Sequence, residues 1–81
     1  MTKKELELGL NIVFKTTFEN NNLEITREMT ADDINGWDSI THLDLIVAVE
    51  NRFSIEINGF DVMGLKNVGD LADLVERKLA Q

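Results

Sequence analysis

From Trp37 to Phe53 the chain contains neither glycine nor proline, and its apolar residues recur with helical spacing. No other feature constrains the fold as strongly, because an uninterrupted amphipathic helix needs neighbours to cover its apolar face. Asn35-Gly36, just ahead of it, is a turn signal. Asp38 then offers an N-cap, since its carboxylate can accept from a first-turn amide that has no partner inside the helix. The spacing predicts a helix opened by Asp38 and ending at Phe53, with Ser39 in its first turn at the positive end.

That helix carries two apolar stripes. At about 100° per residue, Leu45, Ile46, Val49 and Phe53 share one face, which is assigned to the core. Ile40, Leu43 and Val47 fall on a different face, beside Asp44 and Glu50. An ordinary surface helix has one stripe and a polar back. The second stripe either packs under a long loop or stands exposed and rimmed by acids, the form a partner-docking site takes.

A length of 81 residues accommodates one domain, spanning 1–81. A core this small supplies roughly 3–5 kcal/mol. With no cysteine, neither a disulfide framework nor a Cys-based metal site is available. No apolar run approaches the roughly 18 residues that suggest a membrane span. The opening Met-Thr-Lys-Lys-Glu-Leu-Glu lacks the apolar core of a signal peptide. The chain reads as a cytoplasmic monomer that does not insert into membranes. Met1 and the closing Ala80-Gln81 favour a free-standing protein over a domain cut from a larger synthase.

The net charge is -7 and the pI about 4.5, yet 43% of residues are hydrophobic, so this is a folded acidic domain and not a disordered tail. Nucleic acid is excluded as a partner, because phosphate binding needs clustered Lys and Arg. Between Glu28 and Asn51 there is no Lys or Arg, while Glu28, Asp32, Asp33, Asp38, Asp44 and Glu50 lie there. The surface around Ser39 and the second stripe is therefore expected to steer basic partners toward it.

Along the chain, Thr2 and Glu5 form a capping box for a first helix. Leu6, Leu10, Val13 and Thr17 follow as its core stripe, with Ile12 and Phe14 broadening it. Gly9 weakens it by roughly 1 kcal/mol relative to Ala. After the turn-forming Asn20-Asn21-Asn22, a long connection runs to Gly36, with Leu23, Ile25, Met29 and Ile34 as its anchors. Asp33-Ile34-Asn35-Gly36 does not make an EF-hand. With Gly36 at the sixth loop position, Ala31 occupies the first and His42 the twelfth, where Asp and Glu are needed. That leaves only loose cation binding open to the acidic cluster, and no metal site is assigned.

Ser54-Ile55-Glu56-Ile57-Asn58 alternates like a strand but has nothing to pair with, so it is read as an extended loop burying Ile55 or Ile57. Residues 60–65 suit a short helix. Asn67, with Asp70 three residues on, caps a last helix whose core stripe is Val68, Leu71, Val75 and Leu79, with Leu74 nearby. The expected fold is all-α, a small bundle of three main helices and one short one.

Asp38, Ser39 and His42 contain the ingredients of a triad, but a base must reach the nucleophile while a third group orients it. Residues one and three apart at one helix end do not supply that geometry. There is no Gly-x-Ser-x-Gly elbow, no phosphate loop and no second histidine. His42, on the core-facing side, is read as a packed or partly satisfied histidine. The chain is not expected to be an enzyme.

Asp38-Ser39-Ile40 resembles the Asp-Ser-Leu motif of acyl carrier proteins and related phosphopantetheine-binding carrier domains. The similarity extends through Gly36-Trp37, Leu43, Leu45-Ile46, Val49-Glu50 and Phe53 to Ile55-Glu56-Ile57, in the frame of that family's second helix and exit loop. The long first loop and short third helix also match, so the expected bundle is acyl-carrier-protein-like. The resemblance implies that Ser39 receives 4'-phosphopantetheine from coenzyme A through a separate phosphopantetheinyl transferase, with Asp38 beside it in the motif. The arm's thiol would then carry acyl or aminoacyl groups as thioesters between biosynthetic enzymes, in fatty acid, polyketide or related pathways.

By the same resemblance, Ile40, Leu43 and Val47 match apolar positions that partners contact. Asp44, Glu50 and Glu56 match the family's acidic positions, facing basic docking patches on loading and downstream enzymes. Thr41, Asn51 and Arg52 stand where fatty-acid-synthesis carriers often have acids, and Trp37 is more like free-standing carriers of specialised pathways. A carrier-fold module that is never modified, acting as a scaffold, is the competing reading.

Overall fold

A computed structural model of the protein describes residues 1–80; Gln81, which entered the reading of a free-standing chain, lies outside the described residues. Four helices follow one another: α1 (Lys3–Thr17), α2 (Thr41–Phe53), α3 (Gly59–Met63) and α4 (Val68–Leu79). The all-α expectation is met, with three main helices, one short one, and no strand among the described residues.

α1 begins where its capping box places it. The Glu5 amide donates to Thr2 Oγ1 at 3.1 Å, and the Thr2 amide donates to Glu5 Oε1 at 2.9 Å. Leu6, Leu10, Val13 and Phe14 are buried. Ile12 does not broaden that stripe: it is 47% exposed. Gly9 is more than a weak point. A Cβ there would stand 3.0 Å from Phe53 Cζ, so the missing side chain is what lets the end of α2 close on the first half of α1. The helix ends in a Schellman arrangement, the Asn20 amide donating to the Lys15 carbonyl at 3.0 Å while Glu19 takes a left-handed φ of 51°.

The long connection is tied down along its length. Asn11 holds it from α1, accepting from the Ile25 amide at 2.8 Å and donating to the Leu23 carbonyl at 3.3 Å. The carbonyls of Arg27 and Met29 accept from the Gly69 and Val68 amides, each at 2.9 Å. Those amides open α4 and have no acceptor within it. Of the expected anchors, Ile34 is buried, and Leu23, Ile25 and Met29 pack partly buried against the core.

α2 buries Leu45, Ile46, Val49 and Phe53, the face assigned to the core. Beyond it the chain turns through Ser54, in a left-handed conformation, into the extended loop, where Ile55 and Ile57 are both half-buried. Glu50 Oε2 accepts from the Ile57 amide at 2.9 Å and pins that loop. α3 is capped by Asn58, and α4 by Asn67, whose Oδ1 accepts from the Asp70 amide at 2.8 Å. Val68, Leu71, Leu74 and Val75 are buried. Leu79, expected in the same stripe, is 36% exposed: it lies in the last turn of α4, beside the start of α1 at an open cleft with Met1, Lys3 and Leu6.

Candidate functional site

The turn that carries Ser39 is built almost entirely from its own residues. Asp38 Oδ1 accepts from the Ile40 and Thr41 amides, each at 2.9 Å, and the Asp38 carbonyl accepts from the His42 amide at 2.9 Å. Thr41 Oγ1 accepts from the Asp38 amide at 2.8 Å and donates to the Gly36 carbonyl at 2.6 Å. The capping role read for Asp38 is thus present, but the regular helix starts at Thr41, two residues later than the sequence predicts. Ser39 and Ile40 form a turn leading into it, tightened by a 3.2 Å bond from the Leu43 amide to the Ile40 carbonyl. Bonds from the Thr41 and then the Ile40 amide hold the Asp38 carboxyl below its ordinary range.

Ser39 is exposed, and none of the hydrogen bonds that shape the turn uses its hydroxyl. Beneath it Trp37 is buried, its indole edge-on to Phe14 at 5.4 Å and tilted against Phe18 at 6.2 Å. The indole Nε1–H donates to His42 Nδ1 at 3.0 Å, and the two rings stack at 5.9 Å. His42 is half-buried and partly satisfied, as read from its place on the helix. Asp38, Ser39 and His42 do not make a triad: the carboxylate serves two amides and the imidazole serves an indole.

Beside Ser39 an open groove of about 400 Å³ runs between the start of α2 and the α3 region, lined by Trp37, His42 and Leu43 on one side and Val62, Leu65 and Lys66 on the other. On the outer face of α2, Ile40, Leu43 and Val47 are 76%, 61% and 54% exposed, so the second stripe does not pack under the long loop. Asp44 and Glu56 are exposed beside it. Glu50 is half-buried, with one oxygen engaged by the Ile57 amide, so it holds the exit loop as well as adding charge. Phe60 and Met63 of α3, not singled out in the sequence, are also exposed, and Met63 lines the groove with Leu43. Among the described residues, no three His, Cys, Asp or Glu side chains gather as a metal site.

Residues 14–75 match the family described as "Phosphopantetheine attachment site". Acyl carrier proteins of Clostridium perfringens are 40% identical over 52 residues, 64% of this chain and 68% of theirs. The chain belongs to the phosphopantetheine-binding acyl carrier protein family. An acyl carrier protein of an Exiguobacterium species is 29% identical over 79 residues, covering 98% of this chain and all of the relative. The solution structure of holo acyl carrier protein from Geobacter metallireducens superposes with a TM-score of 0.82 at 45% identity, over 88% of this chain and 82% of that one. A putative acyl carrier protein from Mycobacterium tuberculosis gives 0.74 at 27% identity, over 93% and 95%. As an acyl carrier protein the chain is a non-catalytic carrier, and 4'-phosphopantetheine is its prosthetic group.

Proposed function

We propose that Ser39 is the residue that takes the phosphopantetheine arm. The observation that carries this reading is an exposed hydroxyl, idle in the fold, between an Asp38 carboxylate and a Thr41 hydroxyl that are both engaged in shaping its turn. Such a serine needs access and a fixed position, not activation, because the base and metal for the transfer belong to the transferase. The residues present fit the group: Ser39 lines an open groove of about 400 Å³ with apolar walls, and Lys66, lining the same groove, supplies a positive charge for a phosphodiester. When attached, the arm supplies a thiol that holds cargo as a thioester. Asp38 keeps the turn in shape for that attachment.

The exposed strip of Ile40, Leu43 and Val47, with Asp44, Glu50 and Glu56 around it, is the docking face for the transferase and for acyl- or aminoacyl-handling enzymes with basic patches. An apolar strip with an acidic rim favours that complement and rejects acidic surfaces. Among the described residues no helix is long and apolar enough to cross a membrane. Acyl carrier proteins serve biosynthetic enzymes of the cytoplasm, and that kinship supports the same place for this chain.

Incubating the protein with coenzyme A and a broad-specificity phosphopantetheinyl transferase, followed by intact mass measurement, tests the assignment. The expected result is one added phosphopantetheine on the wild type and none on Ser39→Ala. Persistence of the increment in Ser39→Ala moves the attachment elsewhere. A wild type left unmodified by a transferase active on a control carrier favours the scaffold reading.

A further inference from the structure

Seven residues, Gly36 to His42, contain the hydrogen bonds that shape the serine turn, and all but one of the side-chain bonds are exposed and closed within the turn itself. They set its internal form. They do not fix where it points relative to the bundle, because an exposed hydrogen bond exchanges freely with water and nets about 1 kcal/mol. The exception is the bond from Trp37 Nε1–H to His42 Nδ1. One of its ends is an indole buried against Phe14 of α1 and against Phe18, the C-cap of that helix. The other sits in the first turn of α2, which is held to the core through Leu45 and Ile46. The bond therefore joins α1 to α2 across the segment that contains Ser39.

We propose that Trp37 and His42 are positioning residues for modification of Ser39, their hydrogen bond holding the serine turn in register with the core. The inference rests on Ser39 being the attachment residue. In the transfer, the Oγ–phosphorus bond forms as the phosphoanhydride of coenzyme A breaks, the hydroxyl proton passes to the transferase base, and the adenosine bisphosphate leaves. An in-line displacement of this kind tolerates little misplacement of the attacking oxygen, and an error near 1 Å can cost about 100-fold. The tautomer follows from the bond. Indole nitrogen only donates, so Nδ1 is the accepting nitrogen and the neutral ring carries its proton on Nε2. Of the docking strip, Leu43 lines the same groove as Trp37 and His42 but Ile40 and Val47 do not, so recognition through those two is separable from positioning.

The test compares transferase kinetics on wild type, His42→Leu, His42→Asn and Trp37→Phe, with denaturation midpoints recorded for each. Asn retains an acceptor near the place of Nδ1; Leu does not; Phe removes the donor. The chain has a single tryptophan, so one indole N–H resonance reports the bond directly. Expected results are an upfield shift of that resonance and a roughly 10-fold lower kcat in His42→Leu with KM within about twofold, both largely restored in His42→Asn. Should His42→Leu lose its native spectrum, Trp37→Phe reads the same fall in kcat. Wild-type kcat in His42→Leu or Trp37→Phe overturns the proposal, as does a loss that Asn leaves unrestored or a change confined to KM. A wild type that is not modified at all fails at the attachment residue instead and is told apart by that.

Discussion

The Gly69 amide donates to the Arg27 carbonyl at 2.9 Å, and a Cβ at position 69 would stand 3.1 Å from that same oxygen. Two further Arg27 atoms lie 3.2 and 3.3 Å from the same point, so the whole residue, backbone included, would have to retreat. Gly69→Ala gains at most about 1 kcal/mol of helix propensity, and less in a first turn. Against that it loses the capping bond and strains a buried contact, costing about 1–3 kcal/mol. Net destabilisation of about 1 kcal/mol is expected, read as a lower urea midpoint at unchanged slope. A midpoint at or above wild type would show that the loop gives way freely.

Asn11 carries the other end of the same connection. Asn11→Leu keeps the volume but leaves the Ile25 amide and the Leu23 carbonyl without their partner. The expected loss is about 1–2 kcal/mol, with faster hydrogen exchange at the Ile25 amide. Unchanged exchange there would mean that the loop is held by its apolar anchors alone.

Stability should fall on the acid side. Asp38 is held below its ordinary range by the Thr41 and Ile40 amides, Asp61 by Lys78 at 3.1 Å, and Asp73 by Arg27 at 2.9 Å. In each case the folded carboxyl titrates below the unfolded one. The stabilisation is therefore complete above the unfolded value, and it disappears as pH drops through that value and then through the depressed folded one. Urea midpoints taken downward from about pH 5 should decline, with a shallower decline in Asp38→Ala and Asp61→Ala. A parallel decline in both variants would place the acid sensitivity in other groups.

Partner association should depend on salt. Raising ionic strength from about 0.01 M to 0.15 M shortens the screening length from about 30 Å to 8 Å. The on-rate for a basic transferase is expected to fall by about 10-fold or more, and Asp44→Asn should reduce the low-salt rate. Leu43→Ala and Val47→Ala should weaken docking without lowering the melting temperature, since both side chains are already exposed. An on-rate indifferent to salt would leave the apolar strip as the sole determinant.

Helix ends and the main core face were legible because their signals are local. Thr2 with Glu5, Asn67 with Asp70, and the spacing of Leu45, Ile46, Val49 and Phe53 each lie within a few turns of one element. What could not be read was settled between elements. Gly9 and Gly69 look like weak helix formers until Phe53 and Arg27 are seen against them. Asn11 gave no sign of reaching residues 12 and 14 positions away. Ile12 and Leu79 fit their stripes by period, but both stand exposed, since period says nothing of which neighbour covers a face. At the serine turn the motif was visible and Asp38's cap was anticipated. The burial of Trp37 and its bond to His42 were not, since they depend on how the loop folds onto Phe14 and Phe18.

Ser39 lies ahead of the α2 hydrogen-bond ladder and not within it. The hydroxyl can swing there without opening a rung between Thr41 and Phe53. The spacing of Leu43 and Val47 along α2 is then the same whichever way that hydroxyl turns. A domain this small can in that way be handled repeatedly and still present an unaltered template to the next enzyme.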